Sequence, residues 1–149
     1  MAQELTQPFL YDANLVLKSA GLVAATTNET SIDLGGKAGV GLVFIDIDAI
    51  ETASSDEGYE ILIQGSTDDS VWYNLAARKV GAFETIDSET VDTAVGREVL
   101  PFRNVRRVPD TANGREQVLR YIRLRTVVEG AIATGINFTA FATMLEHGS

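Results

Sequence analysis

Twenty-one carboxylates, a cluster of arginines and a single histidine are the side chains able to do chemistry in this 149-residue chain. Asp46 and Asp48 project two carboxylates to one side of an extended segment, the arrangement that acid–base catalysis by paired acids uses. In an alternating strand the same spacing is a solvated face, and that reading is preferred. Asp56-Glu57-Gly58 and Asp68-Asp69 gather oxygen ligands of the kind calcium takes, but each is too short for a known loop signature and reads as a turn. The sole histidine, His147, sits in Leu145-Glu146-His147-Gly148-Ser149 and anchors no triad. With no cysteine there is neither disulfide nor thiolate chemistry, and no phosphate loop, nucleophile elbow or spaced metal set occurs. The chain is therefore expected not to be an enzyme and to need no cofactor or metal.

Two features remain. Trp72-Tyr73 offers aromatic surface, with alternation expected to turn one ring inward and one outward, and Trp72 expected in the core. Arg103, Arg106, Arg107, Arg115, Arg120, Arg123 and Arg125 put seven of the twelve basic side chains into 23 positions. Arginine forms bidentate pairs with carboxylates, so the series is expected to meet acidic protein partners, with ion pairing inside the chain as the alternative.

The segments that must position these groups repeat with period two. Val43, Ile45 and Ile47 share one side of a strand against Asp46 and Asp48, and Tyr59, Ile61 and Ile63 share one side of the next. The Gly-Ser-Thr-Asp-Asp-Ser turn from Gly65 to Ser70 then closes a hairpin over residues 59–77. Arg97–Phe102 reads as an edge strand, because Pro101 cannot donate to a central ladder. A loop holding Asn113-Gly114 precedes Val118–Val128, where Ile122, Leu124 and Thr126 oppose Tyr121, Arg123 and Arg125. Gly135–Leu145 gives the last strand, and Asn14–Ser19 and Thr30–Leu34 give early ones. No apolar stripe at helical spacing is sustained, and long crossovers are expected at 78–96 and 102–116.

The fold class is thus all-β: an antiparallel β-sandwich, jelly-roll or Greek-key, with an extended N-terminal arm. Residues 1–12 form the arm, with a first edge strand as the other form it could take; residues 13–145 form one sandwich domain; residues 146–149 are a disordered tail or a cloning scar. A hydrophobic content of 45% suffices for one core. No apolar run is long enough to span a bilayer, and Met1–Ala20 lacks the order of a signal peptide.

The net charge of −9 argues against nucleic acid and anionic membrane as partners. It is unevenly distributed, for residues 1–96 carry 16 acids against 4 bases, whereas residues 97–129 carry 8 arginines against 4 acids.

Four stretches together resemble a known family: Tyr11-Asp12-Ala13-Asn14-Leu15-Val16-Leu17-Lys18-Ser19-Ala20, Ile32-Asp33-Leu34-Gly35, the Ile63-Gln64-Gly65-Ser66-Thr67-Asp68-Asp69 hairpin with Trp72, and Arg120-Tyr121-Ile122-Arg123-Leu124. Their combination in a short, acidic, cysteine-free chain is similar to the capsid cement, or decoration, proteins of tailed bacteriophages, of the jelly-roll kind found in some short-tailed phages. That resemblance implies a homotrimer, made in the host bacterial cytoplasm, on the outer capsid surface of the virion, bridging subunits of the major capsid protein. It carries over role and architecture but no residue-level site. The contact residues expected here, Phe9, Leu10, Tyr11, Arg103, Arg106, Arg107, Arg120, Arg123 and Arg125, come from the arm and the arginine series. The rival expectations are a carbohydrate-binding module of a tail or secreted protein, a paired-carboxylate enzyme, and a head–tail or tail structural protein.

Overall fold

The computed structural model describes residues 9–54, 56–82, 95–108 and 115–145, and for residues 9–14 and 145 the backbone alone. Its principal strands are β1 (Phe9–Lys18), β5 (Val40–Ile50), β6 (Gly58–Ser66), β7 (Tyr73–Gly81), β8 (Gly96–Arg103), β11 (Tyr121–Glu129) and β12 (Ile136–Leu145). Between them lie the short β2 (Leu22–Val23), β3 (Thr27–Asn28), β4 (Ile32–Asp33), β9 (Val105–Arg107) and β10 (Glu116–Val118), and no helix is found among the described residues.

One sheet has the order β1-β12-β5-β8, and the second has β3 and β4 on β11, followed by β6 and β7. Counting β3 and β4 as one interrupted strand and setting aside β2, β9 and β10, eight strands remain. The first pairs with the eighth, the second with the seventh, the third with the sixth and the fourth with the fifth. This is a long hairpin rolled into two facing sheets, which is the jelly roll, and every one of these ladders is antiparallel.

The core lies between the sheets and follows the alternation of the sequence. Val43, Ile45 and Ile47 of β5 and Ile136, Phe138, Ala140 and Ala142 of β12 face Tyr59, Ile61 and Ile63 of β6 and Ile122 and Leu124 of β11. Tyr59 is fully buried, and its hydroxyl donates to the Glu51 carbonyl at 2.9 Å, so its one polar atom is satisfied at the rim. Burial first, and then the carboxylates of Glu51 and Glu57, push that phenol up to about 12.

Several expectations are corrected in detail. Phe9–Tyr11 pair with Leu145–Thr143, so this part of the proposed arm is the edge strand β1; residues 1–8 and 146–149 lie outside the described residues. The 102–116 crossover contains the β9–β10 hairpin, whose tip at 109–114 is outside the described residues, as is 83–94 of the other crossover. Leu75 is an extra residue in β7: Ile63 pairs with Ala76 and Gln64 with Asn74. This bulge resets the alternation, and Trp72 precedes the strand. Trp72 is accordingly half-buried at the surface and is not a core residue.

Candidate functional site

The outer face of the second sheet is built from the outward residues of β7, β6 and β11. In register, Arg123 lies beside Gln64 and Gln64 beside Asn74. Their side chains form a chain of bonds across the three strands: Arg123 Nε donates to Gln64 Oε1 at 2.9 Å, and Gln64 Nε2 donates to Asn74 Oδ1 at 2.8 Å. The Arg123 guanidinium lies over the Trp72 ring, 4.2 Å from its centroid. Burial and the neighbouring Arg125 hold the Arg123 pKa below its ordinary value, against a smaller opposing effect of Asp69. Arg125 donates from Nη1 to Asn28 Oδ1 at 2.9 Å.

Arg106 repeats this design at the junction of β9 and β7. Its Nε donates to Gln117 Oε1 at 2.8 Å, and its guanidinium stacks 3.9 Å from the Tyr73 centroid. Both aromatic neighbours in the sequence therefore serve as floors for arginines. A cleft of about 440 Å3 opens here, lined among others by Arg103, Arg106, Arg107 and Asn74.

The remaining arginines are placed differently. Arg120 binds Asp33 with two bonds, of 2.8 and 2.9 Å, which raises the Arg120 pKa and lowers that of Asp33. Arg103 reaches Glu116 at 3.5 Å, and Arg107 is exposed on β9. Both ion pairs are exposed and screened by solvent, so each adds little to stability. Phe9, Leu10 and Tyr11 lie in β1 on the other sheet, so the structure does not bring them to the arginine face.

The distinction that matters is between arginines that meet acids and arginines that meet amides. Asp33 and Glu116 cancel the charge of Arg120 and Arg103. Gln64, Asn28 and Gln117 fix Arg123, Arg125 and Arg106 in place without cancelling anything. A guanidinium fixed by an amide, with no carboxylate bonded to it among the described residues, has already lost much of its rotamer freedom and keeps donors for a carboxylate, which is what preorganised anion recognition requires.

The other candidate chemistries have local explanations. Asp68 Oδ1 accepts from the backbone N–H groups of Ser70 and Val71, each at 3.0 Å, and from the Ser66 hydroxyl, so it shapes the hairpin turn; these bonds lower its pKa. Glu57 is fully buried, and both of its carboxylate oxygens accept from the Ser54 N–H. Asp46 accepts two bonds from Arg97, at 2.7 and 2.9 Å, and Asp48 is exposed. No group of three His, Cys, Asp or Glu side chains gathers as a metal site among the described residues.

Sequence reasoning missed Asn104. It is fully buried between β8 and β9; its Nδ2 donates to the carbonyls of Lys37 and Leu119, and its Oδ1 accepts from the Gly39 N–H at 2.7 Å. The residue carries no motif, only the bend that it enforces.

The chain matches no protein-family model, and no curated protein matches it.

Proposed function

We propose that this chain is a structural virion protein that binds the outer surface of a bacteriophage head as an oligomer, a homotrimer, and stabilises the assembled shell by bridging major capsid protein subunits. The observation that carries this reading is the arginine face, with Arg123 and Arg125 held by neutral amides on one side of an otherwise acidic jelly roll. Such a face fits an acidic protein surface. Attachment of the oligomer multiplies a modest footprint by avidity, and a ligand that binds only the assembled lattice stabilises it by mass action. No turnover is required of it. The excess of acidic side chains elsewhere keeps neighbouring particles mutually repulsive.

Sugar stacking is disfavoured, because Arg123 already lies over one face of the Trp72 ring. A position at the head–tail junction or tail uses the same chemistry, and the two locations separate by experiment.

The test mixes the purified full chain with expanded shells lacking it, and separately with isolated tails, and measures co-sedimentation. Saturable binding to shells is expected, weakening as salt rises and falling at least tenfold in R123E/R125E. The variant loses the Trp72 stack and two hydrogen bonds, about 2 kcal/mol in all, and stays folded. Binding to tails alone, or full shell occupancy by the double variant, contradicts the proposal.

A further inference from the structure

The cleft between β7 and the β9–β10 hairpin is lined mainly by hydrogen-bond donors. Arg103, Arg106 and Arg107 border its 440 Å3 together with Asn74 and Glu116, so three guanidinium groups stand against one carboxylate. Arg106 is fixed from two sides, by Nε on Gln117 Oε1 and by the Tyr73 ring under its guanidinium, which leaves its two Nη groups as donors. The polarity of Asn74 is set from two strands away. Arginine can only donate, so the oxygen of Gln64 must face Arg123 and its Nε2 must face Asn74. Asn74 answers with Oδ1, and its Nδ2 hydrogens are left over at the cleft that it lines. The chain of bonds that begins at Arg123 thus ends in a donor.

An occupant must accept several hydrogen bonds and carry more than one negative charge. Protein carboxylates and nucleic-acid phosphates both do so, and the aromatic rings decide between them. Single strands are held by bases stacked on exposed rings, whereas Arg123 covers one face of Trp72 and Arg106 one face of Tyr73. The chain's −9 also repels a long polyanion more than a short acidic segment. We infer that this cleft receives an acidic segment of the protein partner, whose carboxylates bond Arg106, Arg107 and Asn74, and that Glu116 is the resident carboxylate such a segment displaces from Arg103. The resident contact is suited to exchange: it is a 3.5 Å approach between two side chains that are both more than half exposed, longer than a strong charge-assisted bond. The partner rests on the proposed attachment, to which the cleft adds a concave contact beside the Arg123–Arg125 face.

The test titrates the 15N-labelled full chain with N-acetylated, C-amidated tetraglutamate, and separately with tetrathymidylate and inorganic phosphate, and follows the side-chain N–H signals of Asn74 and Arg106 by NMR. The variants are N74D, R107Q and E116Q, all at exposed positions, so the spectra stay those of the folded chain. N74D keeps an acceptor for Gln64 and replaces the donor at the cleft by a carboxylate. Saturable shifts with the peptide are expected, with affinity lower by about tenfold in N74D and in R107Q, as loss of a charge-assisted bond gives, and higher in E116Q. Absence of saturable shifts, or equal affinity in N74D, R107Q and the wild type, overturns the site. Tighter binding of tetrathymidylate than of the peptide overturns the choice of a protein partner, and phosphate that shifts the same signals at the same concentration overturns the requirement for a peptide. An unchanged affinity in E116Q overturns the part given to Glu116. Peptide that fills the cleft of a chain unable to bind shells overturns the attachment reading and upholds the site.

Discussion

Arg123 gains its character from residues that nothing in its immediate sequence identifies. Gln64 and Asn74 come from a hairpin about 50 to 60 positions away, and Trp72 from the turn of that hairpin. The clustering of arginines was legible, because seven in 23 positions is a compositional fact. Which of them keep an uncancelled charge was not, since that depends on whether the facing strand offers an amide or a carboxylate. A second pattern of this kind is the Glu51 carboxylate. Its Oε1 accepts from the N–H groups of Ala133, Thr134 and Gly135, and Gly135 adopts φ +98° to complete the concavity. A side chain there would collide with the Val23 carbonyl. The bonds from Gly135, then Thr134 and Ala133, hold the Glu51 pKa below its ordinary value of 4.5. A depressed folded value means that the ionised carboxylate stabilises the fold fully above pH 4.5 and that this contribution is lost as pH falls through the lower folded value. E51Q is therefore expected to melt below the wild type at pH 7, with the gap narrowing below pH 4.5, as read by melting temperature against pH. A gap independent of pH contradicts the charged role.

At the scale of elements, strand positions were largely legible because period-two alternation is local: the inward sets of β5, β6, β11 and β12 all face the core as read. What failed was whatever depends on how strands pair rather than on alternation along one strand. The Leu75 bulge displaced Trp72 from the core, and the β9–β10 hairpin filled what read as a crossover. Phe44 and Phe141 each fall on the outward parity of their strands, yet only the β5–β12 register makes them neighbours. Asn104 illustrates the energetic side of long-range organisation. It ties Lys37, Gly39 and Leu119 to the bend from β8 to β9 and thereby positions Arg103, Arg106 and Arg107. N104A leaves the buried Leu119 carbonyl and the part-buried Gly39 N–H and Lys37 carbonyl without this partner, an expected loss of about 2 kcal/mol. Denaturant unfolding measures it, and a midpoint within error of the wild type contradicts the role.

At the scale of the whole molecule, the two sheets of one jelly roll present different outer faces, the second holding Arg123 and Arg125 on amides and the first carrying the Asp46–Arg97 pair beside the stacked Phe44 and Phe141. The paired strands that make the sandwich are long range in sequence, so neither face is visible before the chain is rolled up. An arginine face on an otherwise acidic body suits the proposed attachment to an acidic lattice. Cementing demands more than attachment, because a ligand that binds only the assembled shell must raise its resistance to heat and internal pressure. The most direct measurement follows DNA release from filled heads lacking this protein as they are heated, with and without a saturating amount of the purified chain. The account predicts that the release temperature rises to a plateau as the shells fill, and that R123E/R125E gives no rise. Full occupancy with an unchanged release temperature contradicts it.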